Sequence, residues 1–306
     1  MELPHDQIQP GVCAIIVAYE PDYDHFVELL GECLIQCGGV VLINNGAPLT
    51  LPPFEHGQIT HIQATGNVGL AAAQNLGVAW AAKHDYTYVW FIDQDSWPAA
   101  GLVQKLRQAF EALVSSGANP AAVGPLLIDH RDGVATPFVR FTTWGVSRYY
   151  PAPQPTAIAC DFLIASGMLT AIARFQEIGP WEEALFIDNV DLEWSFRAHA
   201  QGFQCFGIPT ACLSHTLGDA MVRFTFLRHT HTLYFHSPLR QYYIMRNRIV
   251  LYGRRYIPWK WKLQDIPRAV VKTLLLILLV GPRRQNLYFL LKGAQDGFLL
   301  RLGPHP

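Results

Sequence analysis

Tyr88-Val89-Trp90-Phe91-Ile92-Asp93-Gln94-Asp95-Ser96 is an apolar, β-type run that ends in two carboxylates one residue apart. Parallel strands buried on both faces read as continuous apolar runs, and ligands in open α/β sheets collect at the strands' carboxyl ends. Asp93 and Asp95 therefore stand where a ligand is expected. Like charges at this spacing repel unless a cation neutralises them, and hard oxygen ligands suit Mg²⁺ or Mn²⁺, which bridge phosphate oxygens. The stretch points to a metal-held nucleoside diphosphate. The alternative is an Asx turn in which Asp95 or Ser96 caps a helix starting near Pro98. An Asp-x-Asp pair alone serves both readings.

Upstream, Val12 to Ala18 is an apolar run closed by Tyr19-Glu20-Pro21, a first strand meeting a turn. Phe26, Leu29, Leu30, Cys33 and Leu34 recur at helical spacing until Gly38-Gly39 ends the helix. Val40 to Ile43 reads as a second strand closed by Asn44-Asn45-Gly46, and Ile59 to Ile62 as a weak third. Gly66-Asn67-Val68-Gly69 opens an alanine-rich helix over Leu70 to Lys83. This β-α-β-β-α-β order predicts an open, mostly parallel α/β sheet with right-handed crossovers. Downstream, a helix is expected from Ala99 to Ser115, a strand from Ala121 to Ile128, and a loop or hairpin over the site from Asp129 to Pro155. Cys160 to Ala173 is apolar and strand-like, as is the run ending in His215. Aromatic and basic helices are expected beyond it.

Of the 306 residues 15% are charged and 50% hydrophobic, so the chain is well buried or rests on a membrane. A net charge of −1 argues against general nucleic-acid binding. The six cysteines show neither a CxxC pair nor a zinc-ribbon spacing, which fits reduced thiols in a cytoplasmic protein. The first residues carry no signal-peptide pattern. Ala269 to Val280 is apolar but interrupted by Lys272 and shorter than the ~20 residues a spanning helix needs, so an interfacial or core helix is expected.

A second acidic cluster lies in Phe186-Ile187-Asp188-Asn189-Val190-Asp191-Leu192-Glu193-Trp194-Ser195-Phe196-Arg197. At helical spacing Asp188 and Asp191 share a face, with Asp191 near a helix N-terminus. A buried carboxylate there suits general-base work on a hydroxyl. A charged first turn is the alternative, and it is the preferred reading for Glu193 and Arg197 as an i,i+4 pair. His215, at the end of a strand-like run, offers a neutral imidazole to the Asp93–Asp95 site or is a polar loop residue.

In order along the chain stand Ile16-Val17-Ala18-Tyr19-Glu20-Pro21, Leu42-Ile43-Asn44-Asn45-Gly46, Gly66-Asn67-Val68-Gly69 with Asn75 and Gly77, and Phe91-Ile92-Asp93-Gln94-Asp95-Ser96. Val123-Gly124-Pro125, Ser166-Gly167, the Phe186–Arg197 segment, Ser214-His215-Thr216-Leu217-Gly218 and Tyr242-Tyr243-Ile244-Met245-Arg246-Asn247 follow. As an ordered set they resemble inverting, family-2-type nucleotide-sugar glycosyltransferases with the GT-A fold, and more narrowly the bacterial rhamnosyltransferases. The resemblance runs from about Val12 to Arg255.

It implies a GT-A domain over 1–235 and a helical extension over 236–306. It implies that Ala18, Tyr19, Glu20 and Asn44 meet the base and ribose, and that Asn67 and Gly69 flank the nucleotide. Asp95 is implied as the main ligand of Mg²⁺ or Mn²⁺, Asp93 as a ligand or sugar contact, His215 as a further ligand and Asp191 as general base. Many relatives carry Asp-Asn-Gly-Ser where this chain has Asn44-Asn45-Gly46-Ala47, and an amide both donates and accepts where a carboxylate only accepts. The implied reaction is sugar transfer, with dTDP-L-rhamnose as favoured donor and a saccharide or lipid-linked saccharide as acceptor. Competing readings are a non-catalytic nucleotide-sugar or glycan-binding assembly protein and a sugar nucleotidyltransferase; the latter usually carries a glycine-rich basic loop after the first strand, which Tyr19-Glu20-Pro21-Asp22 is not.

Arg246, Arg248, Arg254, Arg255, Trp259, Lys260, Trp261 and Lys262, with Arg283 and Arg284, interleave cations and interfacial aromatics. Across 240–290 this suits contact with the anionic inner face of a cell membrane, or a helical subdomain packed on the core.

Overall fold

In a computed structural model, which describes residues 8–54, 59–150, 157–215, 220–226 and 229–305, the run Tyr88–Asp93 is a central strand (β4) of a nine-stranded sheet. On one side of it lie β1 (Gln9–Ala18), β2 (Cys37–Asn44) and β3 (Ile59–Gln63), all parallel. On the other come β10 (Leu169–Ala171), β6 (Pro120–Asp129), β11 (Gln204–His215) and β5 (Ser96–Pro98), with β9 (Ile158–Cys160) also on β11. The long strands β4, β6 and β11 share one direction, because β10 is antiparallel to both β4 and β6 and β11 is parallel to β6. Ala18, Asn44, Asp93, Asp129 and His215 therefore end at one edge. The chain order turns back between β1 and β4, the crevice where open sheets bind ligands.

The apolar runs are continuous because both faces are covered. Val12, Ala14 and Ile16 of β1 face α1 (Tyr23–Gln36) and α3 (Leu102–Ser115). Cys13, Ile15 and Val17 face α2 (Leu70–Ala82), α4 (Ile172–Ile178) and α5 (Val190–Ala200). All six cysteines are free, five of them buried.

Four expectations change. Gly38 and Gly39 do not end α1 but lie within β2, since a Cβ at Gly38 would meet the Pro10 carbonyl oxygen at 2.1 Å and only glycine admits that strand approach. The helix after β4 starts at Leu102 behind Gly101, with no side-chain cap, and Ser96–Pro98 is instead paired with β11, so neither Asp95 nor Ser96 caps it. Cys160 to Ala173 is not one strand: Gly167, at φ 86°, breaks it into β9, a loop that buries Leu163 and Met168, and β10. Beyond His215 a β-hairpin, β12 (Ala220–Phe226) and β13 (His229–Phe235), precedes the helices. Its Val, Phe and Thr content favours strands. Leu217 and Gly218 lie outside the described residues.

Between 129 and 150 the chain forms a hairpin, β7 (Phe138–Phe141) and β8 (Val146–Tyr149), while 151–155 lie outside the described residues. The chain closes with α6 (Pro238–Gly253), α7 (Trp259–Leu279) and α8 (Arg283–Phe298), α8 packing along α6. Among the described residues no helix is long and apolar enough to cross a membrane.

Candidate active site

The end of β4 delivers Asp93, the following turn Asp95, and the end of β11 His215. Their ligand atoms all lie within 4.8 Å of one another. The antiparallel pairing of β5 with β11 sets His215 opposite Ser96, and His215 Nδ1 lies 3.2 Å from Ser96 Oγ and 3.6 Å from Asp95 Oδ1. Burial holds the Asp93 carboxyl above the usual carboxylate range; Asp95 adds to this, while His215 and Arg240 oppose it. Two carboxylates and an imidazole so placed fit a divalent cation, whose charge would relieve the repulsion.

Asp191 is the second residue of α5 and belongs to the same cleft. Its Oδ1 accepts the Leu192 N–H at 2.8 Å and its Oδ2 the Ala165 N–H at 3.2 Å. The next residue, Ser166, accepts the Asp93 N–H through Oγ at 3.2 Å and contacts Ser96 Oγ at 2.9 Å. One loop thus grips both acidic clusters. Burial pushes the Asp191 carboxyl up to about 6, against two backbone N–H donors that lower it and with Asp93 adding to the rise. Nothing in the isolated sequence marks Ser96 and Ser166 as the link, because their contact spans 70 residues.

Asp188 does not share a helical face with Asp191. Phe186, Asp188 and Asn189 all have positive φ (68°, 63° and 60°), so α5 begins only at Val190. Left-handed backbone at non-glycine residues persists where the surroundings over-determine it. Here α6 does so: Asn247 Nδ2 donates to the carbonyls of Leu185, Ile187 and Asp188 at 3.0, 2.8 and 2.8 Å, and Arg246 donates to that of Leu185 at 2.8 Å. The Asp188 carboxylate receives Arg240 at 2.9 Å, which brings a cation into the field of Asp93. Arg240 was missed in the sequence because α6 folds back over 52 residues to reach Asp188.

On the nucleotide side, Tyr19 is half exposed, and its backbone N–H and C=O are clasped by the Gln94 side chain at 2.7 and 3.0 Å. Glu20 is exposed at φ 48°, whereas Ala18 is buried and its carbonyl accepts the Asn45 N–H. Asn44 is buried, with Nδ2 donating to Ala47 O and Gln63 Oε1 and Oδ1 accepting the Gly46 N–H. Its amide braces the turn rather than facing the crevice. Asn67 Oδ1 accepts from Asn45 Nδ2 and the Gly69 N–H, both at 3.0 Å. Gly69 sits at φ 86° before α2, and a Cβ there would meet Phe186 Cδ2 at 2.5 Å. Gly69→Ala is therefore expected to cost about 1–3 kcal/mol and to displace the 186–191 loop. A lower melting temperature together with a fall in kcat/KM would show it; an unchanged pair would mean that the loop is not held there.

Several tail residues are spent inside the fold. Arg246 and Trp261 are buried, Arg248 pairs with Asp265 at 3.1 Å, Arg254 binds Glu182, and Lys262 donates to Arg254 O. Glu193 is buried against Arg197 at 2.9 Å, the i,i+4 pair expected of it.

Comparison with known proteins agrees with this geometry. Residues 42–151 match the model for glycosyl transferase family 2. The chain is 27% identical over 270 residues to the dTDP-rhamnosyl transferase RfbF of Shigella flexneri, covering 87% of this chain and 88% of that protein. In fold it is similar to GalNAc-T7 in a crystal structure with UDP, GalNAc and Mn²⁺ (TM-score 0.56, 13% identity), covering 94% of this chain but only 56% of that one. It is also similar to residues 1–349 of S. aureus TarS (TM-score 0.51, 12% identity, 95% of this chain and 81% of that one). Residues 42–151 thus match a glycosyl transferase family 2 domain, and the chain as a whole is similar to glycosyltransferases in sequence and in its GT-A-like fold.

Proposed function

We propose that the protein transfers L-rhamnose from dTDP-L-rhamnose, with inversion, to a hydroxyl of a saccharide or lipid-linked saccharide in cell-surface glycan synthesis. The observation that carries the reaction type is the half-buried Asp191 carboxylate, close enough to feel Asp93 and bridged to the Asp93–Asp95–His215 cluster by Ala165 and Ser166. The relative from Shigella flexneri supports the choice of donor.

Asp95, Asp93 and His215 would hold Mg²⁺ or Mn²⁺; when bound, the cation offsets the charge that develops on the leaving diphosphate. Tyr19, Glu20 and Asn67 line the nucleotide side, with Ala18 and Asn44 setting the turns behind them. Asp191 accepts the acceptor's hydroxyl proton while that oxygen bonds to the anomeric carbon, and the sugar–phosphate C–O bond breaks with its electron pair going to the diphosphate. Attack on the face opposite the leaving group inverts the anomeric centre. Arg240, fixed by Asp188, adds positive potential to the cleft. We assign catalysis to 1–235, with 236–306 as a helical extension, and place the protein in the cytoplasm at the inner face of the cell membrane.

The test is nucleoside diphosphate release across a panel of nucleotide sugars. dTDP released from dTDP-rhamnose, and abolished by a chelator, is the expected result. Pyrophosphate as product would indicate nucleotidyl transfer, and tight donor binding with no release would indicate a binding protein.

A further inference from the structure

Helix α7 is turned inside out relative to an ordinary surface helix. Its inner side carries Trp261, Ala269 and Leu276, all buried, and Asp265, which receives Arg248 and the Tyr252 hydroxyl. Its outer side carries Leu263, Ile266, Val270, Val271, Leu274 and Leu278, each between 45 and 62% exposed. At i, i+3, i+7, i+8, i+11 and i+15 these six share one stripe, about 22 Å long. Solvent-facing helix surfaces are ordinarily polar, and an unbroken exposed aliphatic stripe marks an interaction surface.

Charge identifies the occupant. Among the described residues of 236–306 the exposed charged side chains are Arg255, Lys260, Arg268, Arg283, Arg284 and Arg301, with no exposed Asp or Glu, in a chain whose net charge is −1. The stripe is flanked by exposed Trp259 and Lys260 at one end and by exposed Arg283 and Arg284 past the other. A second copy seated on this face would bring two strongly cationic segments together, which costs affinity. Anionic headgroups neutralise the cations while the acyl boundary takes the aliphatic side chains. We propose that α7 lies in the surface of an anionic phospholipid bilayer, with the Leu263–Leu278 stripe immersed and the flanking cations at headgroup level. This deepens the peripheral location proposed above but rests on neither the donor nor the acceptor, and it moves the contact from Arg246, Arg248, Arg254, Trp261 and Lys262, which are spent inside the fold, to the outer side of α7.

Flotation of the full chain with vesicles of phosphatidylcholine alone, or of phosphatidylcholine with phosphatidylglycerol, tests it. Binding should require phosphatidylglycerol and weaken with salt. Leu274→Glu, and separately the pair Arg283→Glu and Arg284→Glu, should each lower it about tenfold or more, with melting temperature and nucleoside diphosphate release unchanged. Leu274→Ser supplies a milder variant should Leu274→Glu not fold. Wild-type protein that stays out of the lipid fraction, or variants that float equally well, would overturn the proposal. A dimer in sedimentation that Leu274→Glu dissociates, without vesicle binding, would give the face to a second copy instead. Failure of flotation with intact sugar transfer sinks only the docking surface; the reverse result sinks only the reaction assigned above.

Discussion

Asp191→Asn is expected to lower sugar transfer by about 10²–10⁴-fold, the range a positioned general base contributes, while donor binding stays close to wild type. The amide occupies the same space but cannot take the acceptor's proton. It also offers one acceptor oxygen where the carboxylate offers two, to Leu192 and Ala165, so a stability loss of about 1 kcal/mol accompanies it. Single-turnover transfer beside equilibrium donor binding separates the effects: a fall in both together would make Asp191 a support rather than the base. In the wild type, transfer should rise with pH through about 6, where the carboxyl ionises. Stability runs the other way. A carboxyl raised by burial stabilises the fold in its neutral form, fully so below the unfolded-state carboxylate range, and that contribution is lost as pH rises through about 6. At neutral pH the protein therefore keeps a charge in a place that disfavours it, as catalytic acids and bases often are kept.

Asp95→Ala is expected to abolish metal-dependent turnover, by about 10³-fold or more if the cation supplies several kcal/mol to the departing diphosphate. Asp95 is the most open of the three candidate ligands, with 54% of its side chain exposed, so its removal should leave the melting temperature nearly unchanged without metal. Added Mg²⁺ or Mn²⁺ stabilises the wild type by mass action, and the variant should lose that response. Thermal melting with and without cation, beside nucleoside diphosphate release, reads both effects. Retained stabilisation by metal with lost turnover would move the metal elsewhere and leave Asp95 as a substrate contact.

The strands that build the site were legible because their burial is two-sided: β1, β2 and β4 each appear as an apolar run ending in polar residues. The Asp93–Asp95 pair was legible for the same reason, a charge pair where apolar sequence stops. What the sequence withheld was contact across distance. Ser96 and Ser166, Arg240 and Asp188, and Asn247 and the 185–188 carbonyls meet only after the chain folds back, and no local spacing encodes them. Helical periodicity misplaced Asp188, because periodicity assumes right-handed backbone and this segment has three residues at positive φ. Arg246, Arg254 and Trp261 left both the membrane and the packed-subdomain readings open, because composition shows a cation or an indole but not the carbonyl, carboxylate or ring that receives it.

Ala165 and Ser166 are neighbours in the chain, yet one holds the proposed base and the other the strand end that bears the metal cluster. The two halves of the reaction are thereby tied together through a single peptide unit, which adds to the hold that α6 has on the segment before Asp191. The β7–β8 and β12–β13 hairpins can consequently be remodelled without retuning the chemical step, whereas α6 cannot, because its Asn247 holds the 185–188 carbonyls and its Arg240 pairs with Asp188. A chimera that exchanges those hairpins between relatives while keeping this loop and α6 should keep its rate of transfer.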